Sequence, residues 1–450
     1  MAKKYEIDMC SGPILPKLLK LVVPLMISSV LQLLFNAADI IVVGNFASEN
    51  SLAAVGSTTA LVNLMTNLFL GLSTGANVLT SRYKGAGDVE NVSKTVHTSV
   101  FLSIVCGAFM TLMGVAFAEP LLLLMKTPKE VLTLSALYLR LYFCGSIAML
   151  LYNFGSSVLR SKGDTKRPLY FLAAAGVINV GLNLVFVIFF NMDVAGVALA
   201  TVISQCVSAT LVLICLMRES DGYRFSFKLL RPNKRILVKI LQVGLPAGLQ
   251  GVVFSLSNVV VQSSINSFGP VVMAGSAAAA SIEGFVWVSM NAFSQGALTF
   301  TSQNVGGGKY SRINRIAVIS CASAALAGLI FGNLAVVFGK QLLAVYDPRP
   351  EILGPGMTRL TLVCGFYFVC GLMDCIVGSI RGMGYAVTPT VVSMLGACGL
   401  RILWIITVFN YYHSEFVLFI SYPITWGVTF LAHLVCYIIM RRKYPKEDKE

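Results

Sequence analysis

One carboxylate stands alone in the first long apolar run of this 450-residue sequence: Asp39, in LVVPLMISSVLQLLFNAADIIVVGNFAS, residues 21–48. An aspartate at the centre of a membrane helix costs roughly 3 kcal/mol on insertion scales, so a polar surround, a proton or a bound cation must offset it. Polar residues of the same half can supply that surround: Asn36 on the same helix, Asn179 and Asn183 at i, i+4 spacing, and Thr201. They can hydrogen-bond the acid or complete an oxygen cage for a cation. The chemistry expected of this set is reversible ion uptake, with Asp39 as the titrating group.

Two further acids lie in apolar segments. Asp374, in FYFVCGLMDCIVGS, falls where an internal repeat places Asn153, and Glu283 lies in AAAASIEGFVW. Both are read as holding a cationic substrate or a second ion, with an ion pair to Arg401 as the competing role for Glu283. Arg140 and Arg359 occupy nearly equivalent places, each followed by a Leu and then by Cys-Gly, and are read as structural partners of carboxylates or carbonyls. Pro24 and Pro246 each remove a backbone donor from a long apolar segment, and a helix bend is expected at both. Trp287, Met290 and Tyr367 are candidates for an adaptable apolar pocket.

Other chemistries find no support. Gly306-Gly307-Gly308-Lys309 lacks the first Gly and the Ser/Thr of a phosphate loop and reads as a turn, so transport is expected to draw on an ion gradient or the substrate's own gradient unless another subunit supplies energy. His97, His413 and His433 are scattered, and His433 is read as an interhelical hydrogen-bonding group. The eleven cysteines form no C-x-x-C pair and are read as small core or lipid-facing residues. No cofactor is expected, and no metal beyond a possible sodium ion at Asp39 or Asp374. The clustered acids or histidines that a membrane-embedded transferase needs are absent from the sequence.

The elements that must position these residues are membrane helices. Hydrophobic residues make up 56% of the chain and charged residues only 12%, about half the share in soluble domains. Twelve spans are expected, near 14–43, 52–80, 95–117, 130–157, 168–190, 194–217, 236–266, 271–302, 315–338, 354–380, 387–409 and 416–440. The net charge of +14 follows topology rather than nucleic acid. With the N-terminus inside, 27 of the 34 Lys and Arg lie in inner segments and four, Lys126, Lys129, Lys340 and Arg349, in outer loops. Both termini are therefore expected in the cytoplasm. Lys3, Lys4, Lys17 and Lys20 precede an apolar run too long for a signal peptide.

The loop 218–235, RESDGYRFSFKLLRPNKR, divides the spans into sixes: a bundle over 1–217, a cytoplasmic linker over 218–235 and a bundle over 236–450. The halves repeat with an offset near 221 residues. Ser73-Thr74-Gly75-Ala76 matches Ser294-Gln295-Gly296-Ala297, Gly85-Ala86-Gly87 matches Gly306-Gly307-Gly308, and RSKGDTKRP (160–168) matches RGMGYAVTP (381–389). Pro24 matches Pro246 with one residue of slippage, and Asn36 then matches Asn258. Six spans per half give both halves one orientation, as in transporters with parallel repeats.

Pro24 and Asp39, INVGLNLVFV, ATVISQ at 200–205, FTSQNVGGGKYSRI and GLMDCIVGSIRGMG together resemble the multidrug and toxin extrusion (MATE) exporters over essentially the whole chain. The resemblance implies an all-α integral membrane protein with twelve transmembrane helices in two pseudo-symmetric six-helix bundles around a central cavity. It implies exchange of amphipathic, often cationic compounds for protons or sodium ions. Asp39 matches the acid of the N-terminal ion site, Asn179 and Thr201 its polar partners, and Asp374 the C-terminal cation-site aspartate. Asn183 stands where many relatives have a second aspartate, which weakens a sodium cage. The glutamate that some relatives carry near Phe254 or Ser255 is missing, and Glu283 resembles an acid found in part of the family.

The expected function is multidrug antiport by alternating access in the cell (inner) membrane. The protein is expected to act as a monomer among membrane lipids, on small amphipathic or cationic drugs and not on nucleic acid. The alternative of the same superfamily is a flippase for lipid-linked oligosaccharide precursors. It is disfavoured by the span count and by intramembrane acids equal in number to the bases.

Overall fold

The computed structural model describes residues 5–125 and 127–448, so Lys3, Lys4 and Lys126 lie outside the described residues. Every regular element among them is helical. The first half holds α1 (Ile14–Phe46), α2 (Glu49–Gly85), α3 (Val89–Leu124), α4 (Lys129–Cys144), α5 (Ser146–Ser161), α6 (Lys166–Leu184) and α7 (Asp193–Met217). The second holds α8 (Lys234–Asn266), α9 (Pro270–Gly306), α10 (Arg312–Val337), α11 (Gly339–Tyr346), α12 (Pro350–Cys364), α13 (Tyr367–Gly382), α14 (Val387–Ser393), α15 (Arg401–Trp404) and α16 (Glu415–Arg441). Three π-helical stretches, Val185–Phe189, Met394–Leu400 and Ile405–Phe409, continue the helices around them.

Among the described residues, ten helices are long and apolar enough to cross a membrane. Two bent pairs, α4 with α5 and α12 with α13, bring the number to twelve if each is one span. The bends are 45° and 41°. They follow the Cys144-Gly145 and Cys364-Gly365 dipeptides, where a residue without a side chain ends the first helix of each pair. α1 and α8 run unbroken through Pro24 and Pro246. The short α11 falls in what reads from sequence as an outer loop.

The repeat reappears in backbone detail. α2 and α9 are both 37 residues long and start 221 positions apart; α5 and α13 are both 16 residues long at the same offset. Gly87 and Gly308 share φ +69°, and Gly163 and Gly384 have φ +95° and +97°. These turns use the left-handed region that only glycine enters freely, so the sequence must keep glycine in both copies.

By their internal contacts the residues form two compact units, 1–8 with 27–248 and 9–26 with 249–450. In the first unit α2 meets the start of α8 through glycines. A Cβ on Gly71 would lie 2.1 Å from Gly248 N, and one on Gly75 would lie 2.3 Å from Ile240 O. Gly71 and Gly75, like Gly244 and Gly248, are four residues apart, the small-residue spacing that lets membrane helices touch backbone to backbone. In the second unit the core gathers Met290, Tyr367, Phe419 and Trp426, with Tyr367 stacked on Trp426 at 5.2 Å. Met290 and Tyr367 are therefore core residues rather than pocket lining, while Trp287 is exposed.

Candidate functional site

Asp39 reaches its partners because four helices of the first unit each offer side chains on one face. On α6, Gly176, Asn179 and Asn183 lie at i, i+3 and i+7 and share a face. Gly176 admits the ring of Phe35, which would overlap any Cβ there. That contact brings α1 against α6 one turn before Asp39. Asn183 Nδ2 then donates to Asp39 Oδ1, and to Asn179 Oδ1 at 3.4 Å. Asn179 Nδ2 donates to Thr201 Oγ1 of α7 at 3.4 Å, and Thr201 Oγ1 donates to Val197 O.

Asn183 thus donates both ways, to the acid on one side and into a chain that ends at Val197 O on the other. Asn183 is fully buried and Asn179 5% exposed, while Asp39 and Thr201 are half-buried. No lysine, arginine or histidine among the described residues hydrogen-bonds or ion-pairs with Asp39. Asn183 Oδ1 is buried with no hydrogen-bond donor. An acceptor left without a donor, on the residue that already holds the carboxylate, suits a hydroxyl proton or a cation.

Asn36 does not join this group: it is exposed and lies off the face that carries Phe35 and Asp39. Two residues that sequence reasoning did not select do approach. Tyr138 and Tyr142 of α4 lie within electrostatic range of Asp39, and Tyr142 lies near Gln205 of α7. Their rings stack at 6.0 Å. The i, i+4 spacing of the tyrosines, and the same spacing of Thr201 and Gln205, was the available signal. Gly145 opens the way, since a Cβ there would sit 2.5 Å from Gln205 Oε1.

In the second unit the three candidate groups separate. Glu283 of α9 is paired with Arg359 of α12, Nε to Oε1 at 2.7 Å and Nη2 to Oε2 at 2.8 Å, with side chains 7% and 9% exposed. The expected rival Arg401 lies elsewhere, over the Tyr422 ring at 3.9 Å and donating to Thr425 Oγ1. Glu283 does make an ion pair, but its partner is Arg359, because that arginine faces α9. Asp374 carries no ion pair among the described residues. It is half-buried, and its backbone carbonyl accepts from Ser294 Oγ at 2.7 Å. Arg381, two turns along α13, acts on it electrostatically while donating to Gln250 Oε1 at 2.7 Å. His433 is fully buried and shares a hydrogen bond with Ser393 Oγ at 3.0 Å.

The basic motif after α5 builds a charge cluster that sequence reading missed. Lys162, with no exposed side-chain area, meets Glu219 at 2.5 Å and Glu6 at 3.7 Å; Arg167 meets Glu219 and Asp164. Burial works to raise the Glu219 carboxyl, but the hydrogen bonds and charges of Lys162 and Arg167 outweigh it and hold it below its ordinary value. Burial pushes the Asp164 carboxyl up, with Arg167 opposing. The following loop is packed too: Tyr223 and Phe225 are 1% exposed, and Ser226 N donates to His97 Nε2 at 3.1 Å.

The MatE family profile matches the chain twice, over residues 24–185 and 246–407. The probable multidrug resistance protein YoeA of Bacillus subtilis is 26% identical over 417 residues, 91% of this chain and 90% of the relative. A FAD transporter of Shewanella oneidensis is 26% identical over 354 residues, 76% of each chain. A crystal structure of MATE in complex with MaL6 superposes with a TM-score of 0.90 at 21% identity, covering 97% of this chain and 98% of the other.

Proposed function

The chain belongs to the MatE family, and on that premise we propose that it is a secondary active exporter that exchanges amphipathic, cationic organic compounds for protons, with sodium as the alternative ion. The observation that carries the proposal is the Asp39–Asn183–Asn179–Thr201 chain. It holds an acid among membrane helices with, among the described residues, no cation paired to it and an acceptor to spare. In the charged state Asp39 accepts from Asn183. Neutralised by a proton, it keeps that bond on one oxygen and gains a hydroxyl to donate. A sodium ion would instead gather the oxygens of Asp39, Asn183, Asn179 and Thr201. Either event alters the hydrogen bonding that joins α1 to α6 and α7, which is the change an alternating-access cycle needs. Asp374, which makes no ion pair among the described residues, is the second group proposed to hold an ion or a cationic substrate. Glu283 is less suited to that role, because Arg359 occupies both of its oxygens.

The basic distribution supports an inner-membrane protein with both termini in the cytoplasm. The names of the relatives support a transporter over a membrane transferase, and drug export over flipping of lipid-linked sugars. The Shewanella relative sets the competing substrate class, an anionic dinucleotide rather than a cation.

The test uses full-length protein in vesicles, with a proton gradient and a sodium gradient imposed separately and uptake of a fluorescent cation followed. FAD is run in parallel. Asp39→Asn should reduce gradient-driven uptake to that of protein-free vesicles while leaving the fold intact. Undiminished uptake by that variant would overturn the proposal.

A further inference from the structure

Within the second unit, α10, α13 and α16 leave a cavity of about 950 Å³ between them. That is large for a ligand pocket, for which about 300–1,000 Å³ is the usual range. Its wall changes character along its length. One part is hydrocarbon, from Val318, Ile376 and Leu434, and Val318 is 67% exposed, so the groove opens sideways where the helices face lipid. The other part is cationic, from Arg441, Arg442 and Lys446 at and beyond the end of α16.

These cations have no carboxylate partner among the described residues. Arg441 gives its bonds to carbonyls: Tyr310 O at 2.9 Å, and Tyr444 O and Pro445 O at 3.1 and 2.9 Å. Its Nε is buried without a partner. Asp448, an acid of the same tail, accepts from Ser311 N at 2.8 Å. Arg442 and Lys446 are exposed.

We propose that this groove holds one anionic glycerophospholipid, its phosphate on Arg442 and Lys446 beside Arg441, and an acyl chain along α13 and α16. An apolar slot that opens to the bilayer and ends in unneutralised cations fits a lipid better than a soluble anion, which would have no use for the hydrocarbon wall. Basic pockets between membrane helices bind anionic headgroups in this way. Placing the lipid in the inner leaflet rests on the orientation proposed above; the binding itself does not.

The experiment titrates full-length protein in detergent with dioleoylphosphatidylglycerol or dioleoylphosphatidylcholine and counts bound lipid by native mass spectrometry. The phosphatidylglycerol should be retained at lower concentration than the phosphatidylcholine. Each basic residue near an anionic headgroup is worth about a five-fold gain in affinity, so R442Q/K446Q should weaken phosphatidylglycerol binding about 25-fold. K228Q/R231Q, in the loop before α8, should leave it unchanged. L434W, which fills the slot, should weaken both lipids. Equal binding of the two lipids, no change in R442Q/K446Q, or displacement by glycerol phosphate at the lipid's own concentration would overturn the proposal. Among the described residues the exposed Arg442 and Lys446 side chains make no hydrogen bond or ion pair, so R442Q/K446Q tests binding without removing a contact of the fold.

Discussion

Removing Glu283 should destabilise the second unit far more than removing both members of its ion pair. Arg359 is 9% exposed, lies 5.5 Å from the Phe419 ring centroid, and directs two nitrogens at Glu283 at 2.7 and 2.8 Å. In Glu283→Ala both bonds vanish and a guanidinium stays buried among Tyr367, Phe419 and Tyr422. Stranding one partner of a buried pair costs about 3–5 kcal/mol, which corresponds to a drop on the order of 10 °C in unfolding temperature. In Glu283→Leu/Arg359→Met no charge remains, and replacing a buried pair by packed apolar residues is neutral or stabilising by about 1–4 kcal/mol. The assay is thermal unfolding of detergent-purified protein followed by tryptophan fluorescence, run as a double-mutant cycle with Glu283→Leu and Arg359→Met. The double variant should be more stable than either single one. Additivity of the single effects within about 0.5 kcal/mol would show that the two groups do not act as a pair and refute the reasoning. The same double variant bears on transport. Retained gradient-driven uptake would confine ion coupling to Asp39 and Asp374, whereas a stable but inactive double variant would return Glu283 to the ion pathway.

Two further outcomes follow from the first unit. The Glu219 carboxyl is held below its ordinary value, so its stabilising contribution is fully present above the unfolded value of about 4.3 and is lost as pH falls through the folded one. Between pH 5 and 3 wild type should therefore lose stability faster than Glu219→Gln, in thermal melts at stepped pH; parallel slopes would deny the effect. Asp164 acts in the opposite sense but is common to both proteins. Gly71→Ala places a Cβ 2.1 Å from Gly248 N and must part α2 from α8, at a cost of about 1–3 kcal/mol. Gly181→Ala, with nothing within 4 Å of the new carbon, should not destabilise in the same melt.

What the sequence reveals divides between backbone and side chain. The spans, the repeat and the turns were legible because they rest on local requirements: an apolar run long enough to cross, and glycine where φ is positive. Gly87 with Gly308 and Gly163 with Gly384 kept that requirement in both copies. The bends were marked only by Cys-Gly, and the π-helical stretches carry no glycine or proline signal that distinguishes them as a class. Asn179, Asn183 and Thr201 were found because helical spacing puts the asparagines on one face, and α7 is the next helix in the chain. Asn36 was misplaced because an i, i+3 neighbour of Asp39 can still lie on the outer edge of the stripe. The partner of Glu283 was illegible, since the choice between Arg359 and Arg401 depends on how α12 and α15 are rotated about their axes, which spacing within a helix does not state.

That division bears on where the ion chemistry can lie. The repeat preserves the scaffold but not the charges on it. Arg140 and Arg359 sit near equivalent points, yet Arg140 meets Glu119 of α3 with both side chains about half exposed, while Arg359 meets Glu283 of α9 in the core. Aligned on Pro24 and Pro246, Asp39 falls on Val261, which is 2% exposed and carries no charge. Asp374 falls on Asn153, whose amide is occupied by Met149 O. Among the described residues, each unit therefore keeps a membrane acid without an ion pair, Asp39 in one and Asp374 in the other, where its copy has a neutral residue. The two units thus do not place their acids at matching positions. Two acids in non-equivalent surroundings can titrate apart from one another, Asp39 against an amide chain and Asp374 under the distant field of Arg381. Asp39→Asn and Asp374→Asn should consequently alter different properties of transport, the one its dependence on the ion gradient and the other its affinity for a cationic substrate.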